Sequence, residues 1–110
     1  MTLAELKARL DAATGPDREL DLDVAKWAGH WSKAGRVGSF PRFSYSIDAA
    51  LALVAEKLPG WQMAVDISPK HGRACCRLRE DIGAEPSEEC APTAPLAILR
   101  ALVAAMEEQS

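Results

Sequence analysis

Two stretches in the second half of the chain constrain its fold more than any other feature. In Trp61–Ile67, the apolar residues Trp61, Met63, Val65 and Ile67 alternate with Gln62, Ala64 and Asp66. In Arg73–Arg79, Ala74, Cys76 and Leu78 alternate with Arg73, Cys75, Arg77 and Arg79. This period of two predicts a pair of half-buried strands, because successive strand side chains point to opposite faces. Pro69-Lys70-His71-Gly72 supplies the turn between them. A one-residue slip would carry a whole apolar row to the wrong side. The register is therefore Ile67 against Ala74, Val65 against Cys76 and Asp66 against Cys75, with the loop Pro69–Gly72 at a common hairpin length. Asp66 then lies diagonal to Arg73 and Arg77, within ion-pair reach.

A hairpin with one apolar face must be covered, and helical patterns on both sides offer cover. A helix is predicted over Ile47–Lys57, with Ser46 as N-cap, Asp48 in the first turn and Pro59-Gly60 as the stop. Its apolar face is Ile47, Ala50, Leu51, Val54 and Leu58. A last helix follows Thr93 as cap, with Pro95 in its first turn and Leu96, Leu99, Leu102, Val103 and Met106 facing inward. Both are expected to lie over the same sheet face, in a two-layer arrangement. The chain opens with a capping-box pattern at Thr2 and Glu5 and a helix to about Ala13 carrying Leu3, Leu6 and Leu10. Gly15 suits the end of that helix, and Pro16 the first turn of a second one running to Ala28. Leu20, Val24 and Trp27 form its stripe, predicting a helical hairpin over 1–28.

Residues 29–45 lack periodicity and carry Gly29, Gly35, Gly38 and Pro41 together with Trp31, Phe40 and Phe43. Irregular segments of this length in a small domain are often functional. Glu80–Glu89 is an acidic loop, with a short third strand placed near Glu88–Ala91. The expectation is thus one α+β domain over 1–110, a small antiparallel sheet of two or three strands flanked by helices, in the order α-α-α-β-β-(β)-α, with 46–110 as its α-β-β-(β)-α core.

Composition narrows the function classes. Of 110 residues, 48% are hydrophobic, so a core can form; 13 Lys+Arg against 16 Asp+Glu leave a net charge of −3, which excludes a protein basic throughout. The longest apolar run, Ala49–Ala55, is far shorter than a membrane span. The N-terminus reads as an amphipathic helix rather than an export signal. Three cysteines, an odd count, fit a reducing compartment. A cytoplasmic location with no membrane partner is expected.

Chemistry-bearing motifs are lacking. Cys75 and Cys76 point to opposite strand faces and do not easily share a metal. There is no C-x-x-C, and neither His30 nor His71 has a ligand spacing; a site from His71, Cys90 and one of the pair is outweighed by Cys76 as core residue and Cys75 as a partly exposed thiol. No nucleophile elbow, phosphate loop or zinc-protease pattern occurs. Asp48 is explained as a helix-start charge and Asp66 as a cross-strand ion partner. No enzyme activity, cofactor or metal is expected.

Charge is nevertheless segregated. Lys26, Lys33, Arg36 and Arg42 occupy an acid-free stretch, and Lys70, Arg73, Arg77 and Arg79 share one hairpin. Two readings follow. In the first, Trp31, Arg36, Arg42 and the arginines Arg73, Arg77 and Arg79 anchor a protein partner or a second copy. In the second, the sheet-face arginines track phosphates, in an element order shared with double-stranded-RNA-binding domains. Against that, the last helix has Arg100 as its only base. Against both, Trp27, Trp31 and Trp61 read equally as core and the arginines as a solvated face.

Three separated blocks carry a family likeness: Ala12–Leu20, Tyr45–Leu53 and Ala91–Ile98. Together they resemble the phage ABA sandwich domain, a family of small proteins encoded by phages and prophages. The resemblance covers nearly the whole chain and implies one compact domain with helices flanking a sheet, in a bacterial host. It implies no activity and supplies no catalytic residues. The expected role is that of a non-enzymatic interaction or self-assembling module, meeting a phage or host protein or its own copy.

Overall fold

Among the described residues, four helices and three strands form close to where the side-chain pattern places them. The computed structural model describes residues 2–29, 41–81 and 85–109. The order is α1 (Leu3–Ala12), α2 (Arg18–Ala28), α3 (Ile47–Lys57), β1 (Gln62–Ser68), β2 (Arg73–Arg79), β3 (Ser87–Ala91) and α4 (Ala94–Gln109). The predicted caps are made. The backbone N–H groups of Glu5, Ala49 and Leu96 donate to the hydroxyls of Thr2, Ser46 and Thr93 at 3.2, 3.2 and 3.4 Å. Each satisfies one of the donors that a helix start leaves orphaned.

The second helix departs from expectation at its start. Asp17, rather than Pro16, marks the boundary: its carboxylate accepts from the N–H groups of Glu19 and Leu20, so the helix begins at Arg18. The expected glycine end of α1 is also displaced. α1 closes on Ala13 in an extended conformation, and the left-handed glycine is Gly29 (φ 82°), which ends α2.

The strands form one antiparallel sheet in the order β1-β2-β3. Ile67 faces Ala74, Val65 faces Cys76 and Asp66 faces Cys75, as the alternation required. A single 3-10 turn, Pro69–His71, and a left-handed Gly72 (φ 62°) close the hairpin. The third strand is real and pairs Ala91 with Ala74, Cys90 with Cys75 and Glu88 with Arg77.

Cover is provided differently from the expected two layers. α4 touches all three strands and also packs against α1 and α3. Leu96, Ala97, Ile98, Leu99, Ala101, Leu102, Val103 and Ala105 are all buried. A helix gripped on several sides needs an apolar surface nearly all round. α3, expected to share the sheet with α4, rests mainly on α4 instead. Its buried residues are Ala50, Leu53 and Val54, whereas Ile47 is 41% exposed.

Long polar side chains tie these layers together. Arg100 is the principal clamp: it donates to the carbonyls of Leu10, Asp11 and Ala13 at the end of α1 and to Cys90 O in β3, at 2.8–3.0 Å. It thereby satisfies the carbonyls that a helix end leaves unpaired. Lys57 does the same for α2, donating to Ala28 O at 2.9 Å while lying over the Trp27 ring. At the other end of α2, buried Asp21 accepts from Ser44 N at 2.6 Å, and Ser44 Oγ accepts from Asp17 N at 2.9 Å. These bonds fasten residues 41–45 to the first turn of α2, and Phe43 is buried beside them. Trp27 and Trp61 are half-buried against the core. Trp31, Arg36, His30 and Phe40 lie outside the described residues.

Candidate functional site: the uncovered sheet

Because α4 occupies one side of the sheet, the alternate residues of every strand face away from it. Successive cross-strand rows on that outer side are Gln62–Arg79, Ala64–Arg77–Glu88, Asp66–Cys75–Cys90 and Ser68–Arg73. All of them except Cys75, Cys90 and Ser68 are exposed. The three arginines predicted for this face are brought together on β2. Arg42 stands apart in chain terms, on the turn that leads into α3, and is exposed.

The guanidinium row is not a uniformly basic surface. Arg77 Nη2 donates to Asp66 Oδ2 at 2.9 Å, and its Nε lies 3.0 Å from Glu88 Oε2. One cation is thus held between two carboxylates from the neighbouring strands. Arg73 and Arg79 make no ion pair among the described residues. Five charged groups on the face therefore nearly cancel, and each exposed pair contributes at most about 1 kcal/mol.

The cysteines differ from the expectation of free thiols. Cys75 and Cys90 face each other directly across β2 and β3 and are joined by a disulfide. The alternation had placed Cys75 outward correctly; the missing information was where β3 would pair. Cys76 is the buried core residue expected. Burial pushes its thiol up to about 11, which keeps it protonated and inert.

β1 forms an edge of the sheet, and among the described residues it pairs with β2 alone. Edge strands usually carry lysine, proline or a bulge that blocks further pairing. β1 has no lysine or proline, and its one charge, Asp66, is engaged by Arg77. Its core-side row is only partly covered: Met63 and Val65 are half-buried and Ile67 is 60% exposed.

Concave features are shallow. A hollow of about 340 Å³ between α1 and α2 is lined by Ala8, Arg9, Ala12, Ala13, Asp17 and Leu20. A second of about 110 Å³ lies against Arg77 and Arg79 beside Pro86. Neither gathers the convergent titratable groups that a reaction centre requires. His71 is exposed in the hairpin turn, and Asp48 is exposed in the first turn of α3. No helix among the described residues is long and apolar enough to cross a membrane. No protein-family model, curated protein or solved structure matches this chain.

Proposed function

We propose that this is a small phage- or prophage-derived protein of the bacterial cytoplasm that works by protein binding rather than catalysis, and that the partner is a second copy of itself. The blocks at Ala12–Leu20, Tyr45–Leu53 and Ala91–Ile98 support the phage kinship. The self-pairing rests on one observation: the uncovered β1 edge is chemically symmetric about Ala64.

Place two copies antiparallel with Ala64 against Ala64. Met63 then meets Val65 and Trp61 meets Ile67 on the core side. Gln62 meets Asp66 on the outer side, an amide donor opposite a carboxylate. No like charges face each other, and the exposed Ile67 gains an aromatic neighbour. Shifting the register by two residues separates Gln62 from Asp66 and takes either Trp61 or Ile67 out of contact, and shifting it by four in one direction opposes Asp66 to Asp66. The product is a continuous six-stranded sheet with a two-fold axis at its centre. Edge-to-edge pairing of one short strand buries little area, so the association is weak.

Sedimentation equilibrium from about 1 µM to about 200 µM spans the relevant affinities. The wild type is expected to pass from monomer to dimer. Ala64→Lys, at an exposed position, places two ammonium groups face to face and should leave a monomer. Gln62→Glu should weaken the dimer and Gln62→Lys strengthen it. A monomer throughout the range, or a dimer indifferent to Ala64→Lys, would sink the proposal.

Nucleic-acid binding through Arg73, Arg77 and Arg79 is the weaker reading, because Arg77 is already held by Asp66 and Glu88. It requires an affinity that falls steeply with salt and vanishes when all three arginines become glutamate.

A further inference from the structure

The outer face holds a second arrangement that the self-pairing does not use. Cys75 and Cys90 are direct cross-strand partners, and Glu88 lies two residues before Cys90, on the same side of β3. Both sulfurs and a carboxylate oxygen of Glu88 lie within 4.8 Å of one another. Asp66 faces Cys75 from β1. We infer that, once its disulfide is reduced, this cluster binds a thiophilic divalent cation of the zinc class, with Cys75 and Cys90 as thiolate ligands and Glu88 as the carboxylate ligand.

The geometry suits such an ion. Zinc binds cysteine sulfur at about 2.3 Å in a tetrahedron, which sets two sulfurs roughly 3.8 Å apart. Cys75 and Cys90 have Cα atoms 4.0 Å apart, so after reduction side-chain rotation alone can set the two thiolates at this spacing. Arg77 occupies Oε2 of Glu88, which leaves Oε1 for the ion. That guanidinium acts as the outer partner that orients a ligating carboxylate. Water completes the tetrahedron, because Cys76 points to the core. Charge favours the cation: two thiolates with Asp66 and Glu88 outweigh Arg73 and Arg77, in the flanking rows, by two.

The chemistry balances with a cellular dithiol as reductant. The dithiol transfers two electrons and two protons to the Cys75–Cys90 bond, which breaks to two thiols, while the reductant leaves as its own disulfide. Cation binding then displaces the two thiol protons to water. In a reducing cytoplasm the disulfide is the disfavoured form, so the metal-binding form would be the resident one there.

The test uses the full chain, oxidised or reduced with a phosphine, titrated with zinc chloride against a chromophoric chelator and separately with cobalt(II). The reduced wild type should bind one equivalent and show a thiolate-to-cobalt absorption band; the oxidised chain should bind none. Cys75→Ser and Cys90→Ser should each lose the site, with circular dichroism confirming that the chains remain folded. Glu88→Gln, at an exposed position, should weaken zinc by about tenfold or more. A reduced wild type that takes up no zinc, or binding and a cobalt band retained in both serine variants, would overturn the inference. The three ligands lie on β2 and β3, so the site does not require the β1 edge to pair.

Discussion

At the scale of single residues, two side chains carry more of the structure than their neighbours. Arg100 satisfies three carbonyls at the end of α1 and one in β3. Replacing it by methionine keeps much of the aliphatic packing but leaves the part-buried carbonyls of Ala13 and Cys90 without this donor, while Leu10 O keeps the N–H of Ala13. Charged hydrogen bonds of this kind are worth more than neutral ones, and the loss should amount to about 3 kcal/mol, read as a lower urea midpoint. Arg100→Lys should fall between the two, because one ammonium cannot span four carbonyls on two elements. Cys76 makes a pH prediction. Its thiol rises from 9.0 to about 11 in the fold through burial. The unfolded chain therefore releases this proton first, and the folded state holds it between those values. Stability contributed by the neutral thiol is complete below pH 9 and is lost as pH rises towards 11. Between pH 8.5 and 10.5 the wild type should lose about 2 kcal/mol more than a Cys76→Ala variant in parallel urea titrations. Equal losses in the two proteins would refute a buried neutral thiol.

At the scale of elements, α4 is the organising unit, and its small residues explain how. Ala97, Ala101 and Ala105 are fully buried, as are Leu96, Ile98, Leu99, Leu102 and Val103. The alanines let neighbouring elements approach the helix closely on the sides that the leucines do not fill. Ala101→Leu should overpack this contact and cost about 1–3 kcal/mol, whereas Ala52→Leu, on the exposed side of α3, should be nearly neutral. Thermal unfolding of the two variants compares them directly. The same helix shows what could be read from the chain and what could not. Its cap at Thr93 and its stripe of Leu96, Leu99 and Leu102 were legible, because both are local patterns. Its burial on several sides was not, because the alanines that permit it are also the commonest filler of exposed helices. The β1–β2 register was legible because a four-residue turn and two alternating rows left one solution. The Cys75–Cys90 pairing was not: the residues between β2 and β3 match no short turn signature in the sequence, so the register of β3 could not be counted from β2. Asp66 was expected near Arg73 and Arg77; the structure pairs it with Arg77, which Glu88 also meets from β3.

At the scale of the whole molecule, the helices among the described residues lie on one side of a three-stranded sheet whose other side is exposed. A single layer of strands this small gains from extension, since each added strand satisfies a row of backbone groups otherwise left to water. The two edges are not equivalent. β3 spans Ser87–Ala91, is tied to β2 by the disulfide, and has its Cys90 carbonyl bound by Arg100. β1 is longer, has a partly uncovered apolar row and, among the described residues, has no such side-chain fastening to the helices. Extension is therefore expected at β1, and it couples assembly to stability by mass action. If dimer formation through Trp61–Ile67 accompanies folding, the thermal midpoint must rise with protein concentration, because ligation of the native state by its own copy stabilises it. Over a hundredfold range above the dissociation constant the wild-type midpoint should climb by several degrees, while Ala64→Lys should hold one midpoint at every concentration. Calorimetry on the two proteins at matched concentrations separates this from any direct effect of the substitution on the monomer: a change in the monomer shifts every midpoint equally, and only a lost interface removes the slope.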